Sequence, residues 1–260
     1  MSLSEGSPAP TYGALLLRGL IAGLIAGLLA GLFAFTFGEP KVDAAIAIEE
    51  AASAQAQAAT EQTSAAEEEP LVSRDGQKGG LFLATGLYGI ALGGILATAY
   101  TLLRRRLRTP SDTRAALSLA GAALLGVVLI PYVKYPPNPP AVGDPDTINQ
   151  RTISYLAILV IGLVAVWAAV VAKRTQPTEW RQAAAAVVGF LVVVVVGYAL
   201  LPNVNEVPET FPPDLLWSFR LASLGTQVVM WTVLGVAFAA LLSSTRRPAS
   251  QPERQPVTTA

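Results

Sequence analysis

Asp144 and Asp146 are separated by a single proline and lie inside Tyr135–Thr147, which holds five prolines in thirteen residues. Proline withholds the backbone N–H and restricts the residue before it, so this stretch is expected to be irregular and stiff. Two carboxylates on a stiff loop, with the amide of Asn138 nearby, offer oxygen ligands in a constrained arrangement. That chemistry suits a hard or borderline divalent cation that keeps part of its water. A second stretch of the same character, Pro202–Asp214, carries Asn203, Asn205 and Glu206. The plain alternative for both stretches is a packed cap whose acids are solvated.

The rest of the composition narrows the chemistry. The 260 residues include no Cys and no His. Thiolate sites, disulfides and imidazole ligands are therefore excluded, and any metal held by this chain must sit on oxygen. Formal net charge is zero, so no bulk attraction to nucleic acid is expected. The chain has no G-x-x-x-x-G-K-[ST], and Gly76-Gln77-Lys78-Gly79-Gly80 has the wrong spacing to replace it, so no bound nucleotide is expected. No G-x-S-x-G or H-E-x-x-H is present, and no enzyme chemistry or resident cofactor is expected.

Just over half of the chain is apolar and only 14% is charged, which fits an all-α integral membrane protein. Six apolar runs are long enough to cross, at about 19–37, 80–103, 114–133, 153–172, 183–201 and 218–243. In the first, Gly19, Gly23, Gly27 and Gly31 recur every fourth residue, forming a small-residue ridge that lets another helix approach closely. Gly89, Gly93 and Gly94 form a second such face, a candidate partner for the first. The first run is read as a retained span rather than a cleaved signal, because its apolar core is too long. Gly38-Glu39-Pro40 is expected to stop its helix, with a short interfacial helix at Val42–Ala52. Residues 53–79 are read as a flexible linker rich in Ala, Gln and Glu, with Glu67, Glu68 and Glu69 solvated. Residues 1–18 and 244–260 are read as tails, the second disordered.

Lys and Arg fix the expected orientation. With the N-terminus inside, 12 of the 18 basic residues fall in cytoplasmic segments and 14 of the 18 acids fall outside. Both termini are then cytoplasmic, and the three proline-containing acidic connections share the outer face. Glu39, Asp43, Glu50, Asn138, Asp144, Asp146, Asn205 and Glu206 are the candidate metal ligands that could gather there. Arg220 lies inside the sixth run, where a cation needs a carboxylate or access to water. Glu206, Asp144 and Asp146 are its expected partners, and Arg151 with Lys134 is expected to anchor the central loop. Gln227 is expected to join helices by hydrogen bonding, with a ligand role as the alternative. Trp180 and Trp217 suit the interface, and Trp231 the packed interior.

Certain blocks resemble a known family. They are Phe37-Gly38-Glu39-Pro40, Val42-Asp43, Ala45–Glu50, Tyr88-Gly89 and Gly93-Gly94. They continue with Lys134-Tyr135-Pro136, Asn138–Thr147, Arg151-Thr152, Pro202–Pro208, Leu216-Trp217 and Phe219–Leu224. Together they are similar to the CbtA family, proposed cobalt transporter subunits of bacteria. The resemblance implies cobalt uptake linked to cobalamin synthesis, a multi-pass protein of the bacterial cytoplasmic membrane, and a small single-span companion, CbtB, whose histidines this chain lacks. Cobalt would be cargo. The alternatives are a non-transporting scaffold for another transporter, and a secondary carrier for another solute. Few acids lie within the spans, which disfavours a proton-coupled carrier.

Overall fold

The computed structural model describes residues 10–59, 73–107, 109–140 and 142–244. Within them the chain is built from helices: α1 (Tyr12–Phe33), α2 (Glu39–Ala59), α3 (Arg74–Leu103), α4 (Asp112–Ala123), α5 (Ile130–Lys134), α6 (Ile148–Arg174), α7 (Glu179–Leu200) and α8 (Pro213–Ser243). Six helical stretches are long and apolar enough to cross a membrane. Three of the starts carry hydroxyl caps: Thr11, Ser73 and Ser111 each accept from the backbone N–H three residues on.

Neither Pro40, expected to stop its helix, nor Pro131 ends the helix it lies in. A π-type segment, Ala34–Gly38, joins α1 to α2, and another, Leu124–Leu129, joins α4 to α5. Each precedes a proline by the same spacing, Gly38 with Pro40 and Leu129 with Pro131. The residue before each proline reaches back five positions, Glu39 N–H to the Ala34 carbonyl and Ile130 N–H to the Leu125 carbonyl. Proline's ring crowds the carbonyl four residues earlier, and the wider π turn makes room for it. Gly38-Glu39-Pro40 is therefore a widened turn inside a helix. At 1.5 Å per residue, the continuous stretch Tyr12–Gln55 is about 66 Å long, roughly twice the hydrocarbon thickness. Most of α2 must project beyond the apolar layer.

The stretch expected to be linker is partly helical, since α2 runs to Ala59 and α3 starts at Arg74. Residues 60–72 lie outside the described residues, with Glu67, Glu68 and Glu69 among them. So do 1–9 of the leading tail and 245–260 of the trailing one.

Packing divides the bundle into two clusters. In the larger, α1 lies against α3 and α8, and α4 against α8. Its centre holds Ala22, Ala26, Leu96, Leu234 and Phe238, with Tyr100 edge-on to Phe238 at 5.5 Å. The α1–α3 contact is backbone on backbone. A Cβ added at Gly19, Gly23 or Gly27 would come within 3 Å of a backbone carbonyl oxygen of α3, and one at Gly89 or Gly93 within 3 Å of a carbonyl of α1. Gly31 faces the Thr85 side chain.

The smaller cluster joins α6 and α7 to α5 through Ile130, Ile158, Ala165 and Val194. It has its own glycine crossing, where Gly162 of α6 meets the Gly126 carbonyl of the second π segment. The outward faces of α1, α6 and α7 carry exposed Leu, Ile and Val, the surface a bilayer covers. Trp180 and Trp217 are exposed, and Trp231 is buried.

Candidate functional site

Tyr135–Thr147 and Leu201–Pro212 meet at one end of the bundle, and the chemistry of their residues explains how. Lys134, at the end of α5, donates to the Tyr198 carbonyl at 3.1 Å and to Asn203 Oδ1 at 2.7 Å. Its ammonium also sits over the Tyr135 and Tyr198 rings. Tyr135 Oη donates to the Pro202 carbonyl at 2.7 Å. The central tie is Glu206. Its Oε2 accepts from the Asp144 N–H at 2.9 Å and from Arg151 Nη1 at 2.9 Å, and its Oε1 accepts from Thr147 Oγ1. The Thr147 hydrogen bond, the Asp144 amide and the Arg151 charge hold the Glu206 carboxyl below the usual glutamate range. Asp144 in turn caps the turn into α6, accepting from the Asp146 N–H and from Thr147. Gly143 has φ 137°, a backbone state that L side chains rarely adopt, and the Arg151 guanidinium lies where a side chain would go.

Beneath these loops, at the seam between the two packing clusters, lies a cavity of about 710 Å³. The loops contribute Asn138, Asn205 and Glu206 to its wall, α6 contributes Arg151 and Ser154, and α8 contributes Arg220, Ser223, Leu224 and Gln227. Tyr132 and Tyr88 face it from the helix containing Pro131 and from α3. Along α8 the lining runs from Arg220 to Gln227, about 10 Å, and Gln227 lies about 20 Å from the first residue of that helix.

The structure separates the eight candidate metal ligands into groups. Glu39 and Asp43 lie on α2 and bind the first turn of α3. Arg74 reaches Glu39 at 2.6 Å and Asp43 at 2.9 Å, and Lys78 reaches Asp43 at 2.9 Å. The Lys78 and Arg74 hydrogen bonds lower the Asp43 carboxyl from its ordinary value. Glu50 is exposed further along α2, and none of these three lines the cavity. Asn138, Asn205 and Glu206 do line it, while Asp144 and Asp146 are exposed beside it. Among the described residues no group of three or more Asp or Glu is placed to hold one ion. Three of the six candidate acids, Glu39, Asp43 and Glu206, are already paired with Arg or Lys of another element.

Arg220 also departs from expectation. It donates through Nη2 to Asn138 Oδ1 at 2.9 Å and through Nε to the Pro137 carbonyl at 3.3 Å, and forms no ion pair with a described carboxylate. Glu206, one of its expected partners, is taken by Arg151. The cavity wall therefore carries two guanidinium groups and one carboxylate. A bare dication two helical turns below Arg220, about 10 Å away, would be repelled by roughly 3 kcal/mol at an effective dielectric of 20.

Gln227 does not join helices through its carbonyl. Its Oε1 and the Tyr132 hydroxyl are buried with no hydrogen-bond partner among the described residues. Arg220, Ser223, Leu224 and Gln227 are spaced as one helical face, a signal present in the sequence once the face is known to look into a cavity. Tyr132, Ser154 and Tyr88 carried no comparable signal.

A family model described as probable cobalt transporter subunit (CbtA) matches residues 12–243. No curated protein and no solved structure matches the chain.

Proposed function

The chain belongs to the CbtA family of probable cobalt transporter subunits, and from that premise we propose that it is the membrane path of a cobalt uptake system in the bacterial cytoplasmic membrane. The observation that carries this reading is the cavity, with Arg220, Gln227, Tyr132 and Ser154 in its wall, set into an otherwise apolar six-span bundle beneath two tied proline loops. Polar and ionisable groups kept inside a membrane bundle mark pathways. The Lys and Arg bias puts both termini in the cytoplasm, so the cavity opens outward.

Capture begins at Asp144 and Asp146. Their carboxylates are exposed and make no ion pair among the described residues, unlike those of Glu39, Asp43 and Glu206. With Glu209 and Asp214 at the same end of the bundle they raise the local concentration of dications before any ligand is bound. A histidine-bearing CbtB companion supplies the nitrogen ligands that a chain without histidine lacks.

The test is Asp144→Asn with Asp146→Asn, produced with the companion and assayed for cobalt accumulation below saturation. A dication about 6 Å from one carboxylate gains roughly 1.4 kcal/mol in water-like surroundings, a factor of about ten. Salt screening brings the expected loss for the pair to about tenfold. Unchanged accumulation at normal protein level removes both residues as ligands. A competing reading, a scaffold that assembles another transporter, draws on the absence of a converged acid cluster among the described residues. Proteoliposomes separate the two, because a scaffold gives no cobalt flux with or without the companion.

A further inference from the structure

We propose that the cavity is a binding site for a small anionic oxygen ligand, held by Arg220 and Tyr132, and that cobalt gathered as the free dication at the outer acids is held in the cavity as an aquated carboxylate chelate rather than as the bare ion. The inference rests on the transport reading above and names the form of its substrate.

Charge is the first reason. Arg151 and Glu206 neutralise one another across 2.9 Å, which leaves Arg220 as the uncompensated charge on the wall. Its described partners, the Pro137 carbonyl and Asn138 Oδ1, are both neutral, and Nη1 has no partner among the described residues. A guanidinium presents its remaining N–H groups as a planar fork that matches a carboxylate.

Unmet hydrogen bonds are the second, independent reason. The Tyr132 hydroxyl is buried, lines the same cavity and has no acceptor among the described residues, while Gln227 Oε1, two turns deeper than Arg220, has no donor among them. Buried polar groups of this kind are seldom left unpaired, so the occupant should offer both an acceptor and a donor. A bare aqua ion offers only donors and adds positive charge beside Arg220. A simple carboxylate offers only acceptors and leaves Gln227 unpaired. An aquated metal hydroxycarboxylate offers both, with carboxylate oxygens for Arg220 and Tyr132 and, for Gln227, a water or hydroxyl that the metal polarises into a stronger donor than the hydroxyl of the free ligand. The cavity, at about 710 Å³, is large enough for such a complex.

Calorimetric titration of the full chain in nanodiscs of zwitterionic lipid tests this with three probes: cobalt chloride in a non-coordinating buffer, citrate alone, and cobalt in excess citrate. The chelate is expected to bind most tightly, citrate more weakly, and cobalt chloride least. Arg220→Gln should weaken both citrate-containing probes about ten- to a hundredfold, the worth of a charge-assisted hydrogen bond, and Arg220→Lys should recover part of the loss. Tyr132→Phe, which removes one hydroxyl and is the gentler change, should weaken them about three- to tenfold. The proposal is overturned if neither citrate probe binds the wild-type protein, or if cobalt chloride binds as tightly as the chelate and Arg220→Gln leaves or strengthens that binding. Equal binding of citrate with and without cobalt overturns the chelate assignment. Cobalt accumulation in cells keeps the two readings apart. Uptake that persists although no citrate probe binds sinks only the chelate, whereas tight chelate binding without cobalt movement in the presence of the companion sinks the transport reading.

Discussion

Gly89→Leu is expected to abolish the folded protein, at a cost of more than about 3 kcal/mol. In lipid the hydrophobic effect does not press helices together, so α1 and α3 are held by the closeness of their backbones. At Gly89 a Cβ would fall within 3 Å of the Gly23 carbonyl oxygen and of the Gly27 Cα. Both are main-chain atoms of a helix, and neither can swing aside. The glycine Cα–H that occupies this position instead faces the carbonyl, a weak hydrogen bond of about 0.5–1 kcal/mol in condensed phase. A leucine removes these contacts and forces the helices apart along their whole crossing, because Gly19, Gly27 and Gly93 depend on the same separation. The matched control is Gly121→Ala on α4, where an added Cβ meets nothing within 4 Å. There the gain in helix propensity, about 0.5–1 kcal/mol, is the only effect expected. Thermal midpoints of detergent-solubilised protein, followed by loss of the monodisperse peak, check both variants. A Gly89→Leu protein as stable as wild type would mean that the two ridges do not carry the crossing.

That contact was legible because it is periodic. Glycine at every fourth position of α1 states a helical face, and Gly89 with Gly93 states its partner without any knowledge of depth or neighbours. Gly126 and Gly162 make an equally close crossing, yet Gly162 is the single glycine of α6 and Gly126 shares its span only with Gly121, five residues away, so neither helix shows a period to read. The prolines misled for a local reason. Pro40 and Pro131 do remove a donor, but whether the helix ends or widens depends on whether the preceding turn can open to a π geometry, which no residue announces. The acids misled for a global one. Carboxylates on three connections can be counted from sequence, but the count cannot tell a free acid from one already held by a base. Glu39, Asp43 and Glu206 each meet Arg or Lys from another element, 31 to 55 residues away in sequence. Arg220 was identified as a residue that needs a partner, and the partner turned out to be an amide and a carbonyl rather than an acid. The cavity itself lies where two clusters fail to meet, a property of packing that no short stretch encodes.

Glu206→Gln is the second change expected to act strongly, and pH makes its effect diagnostic. The carboxylate receives three donors from two other parts of the chain, namely the Asp144 N–H, the Thr147 hydroxyl and the Arg151 guanidinium. A glutamine keeps one acceptor oxygen and turns an NH₂ towards groups that are themselves donors. Arg151 then loses its counter-charge on the cavity wall, and the turn entering α6 loses its link to Leu201–Pro212. The thermal midpoint should fall clearly further than for Asp146→Asn, whose side chain makes no ion pair among the described residues. The folded carboxyl sits below its ordinary value of 4.5, chiefly through the Thr147 hydrogen bond. For an acid depressed in this way, the stabilisation is complete above the unfolded value and is lost as pH falls through the lower folded one. Asp43, depressed by Lys78 and Arg74, contributes in the same sense. At neutral pH the gap between wild type and Glu206→Gln should therefore be at its full size, and it should narrow as pH drops below about 4.5. Asp43 is intact in both proteins and cancels from that difference. A gap that stays constant across the acid range would show that the charge of Glu206 contributes nothing, and that the two loops are joined by shape and by the hydrogen bonds of Lys134 and Tyr135 to neutral acceptors alone.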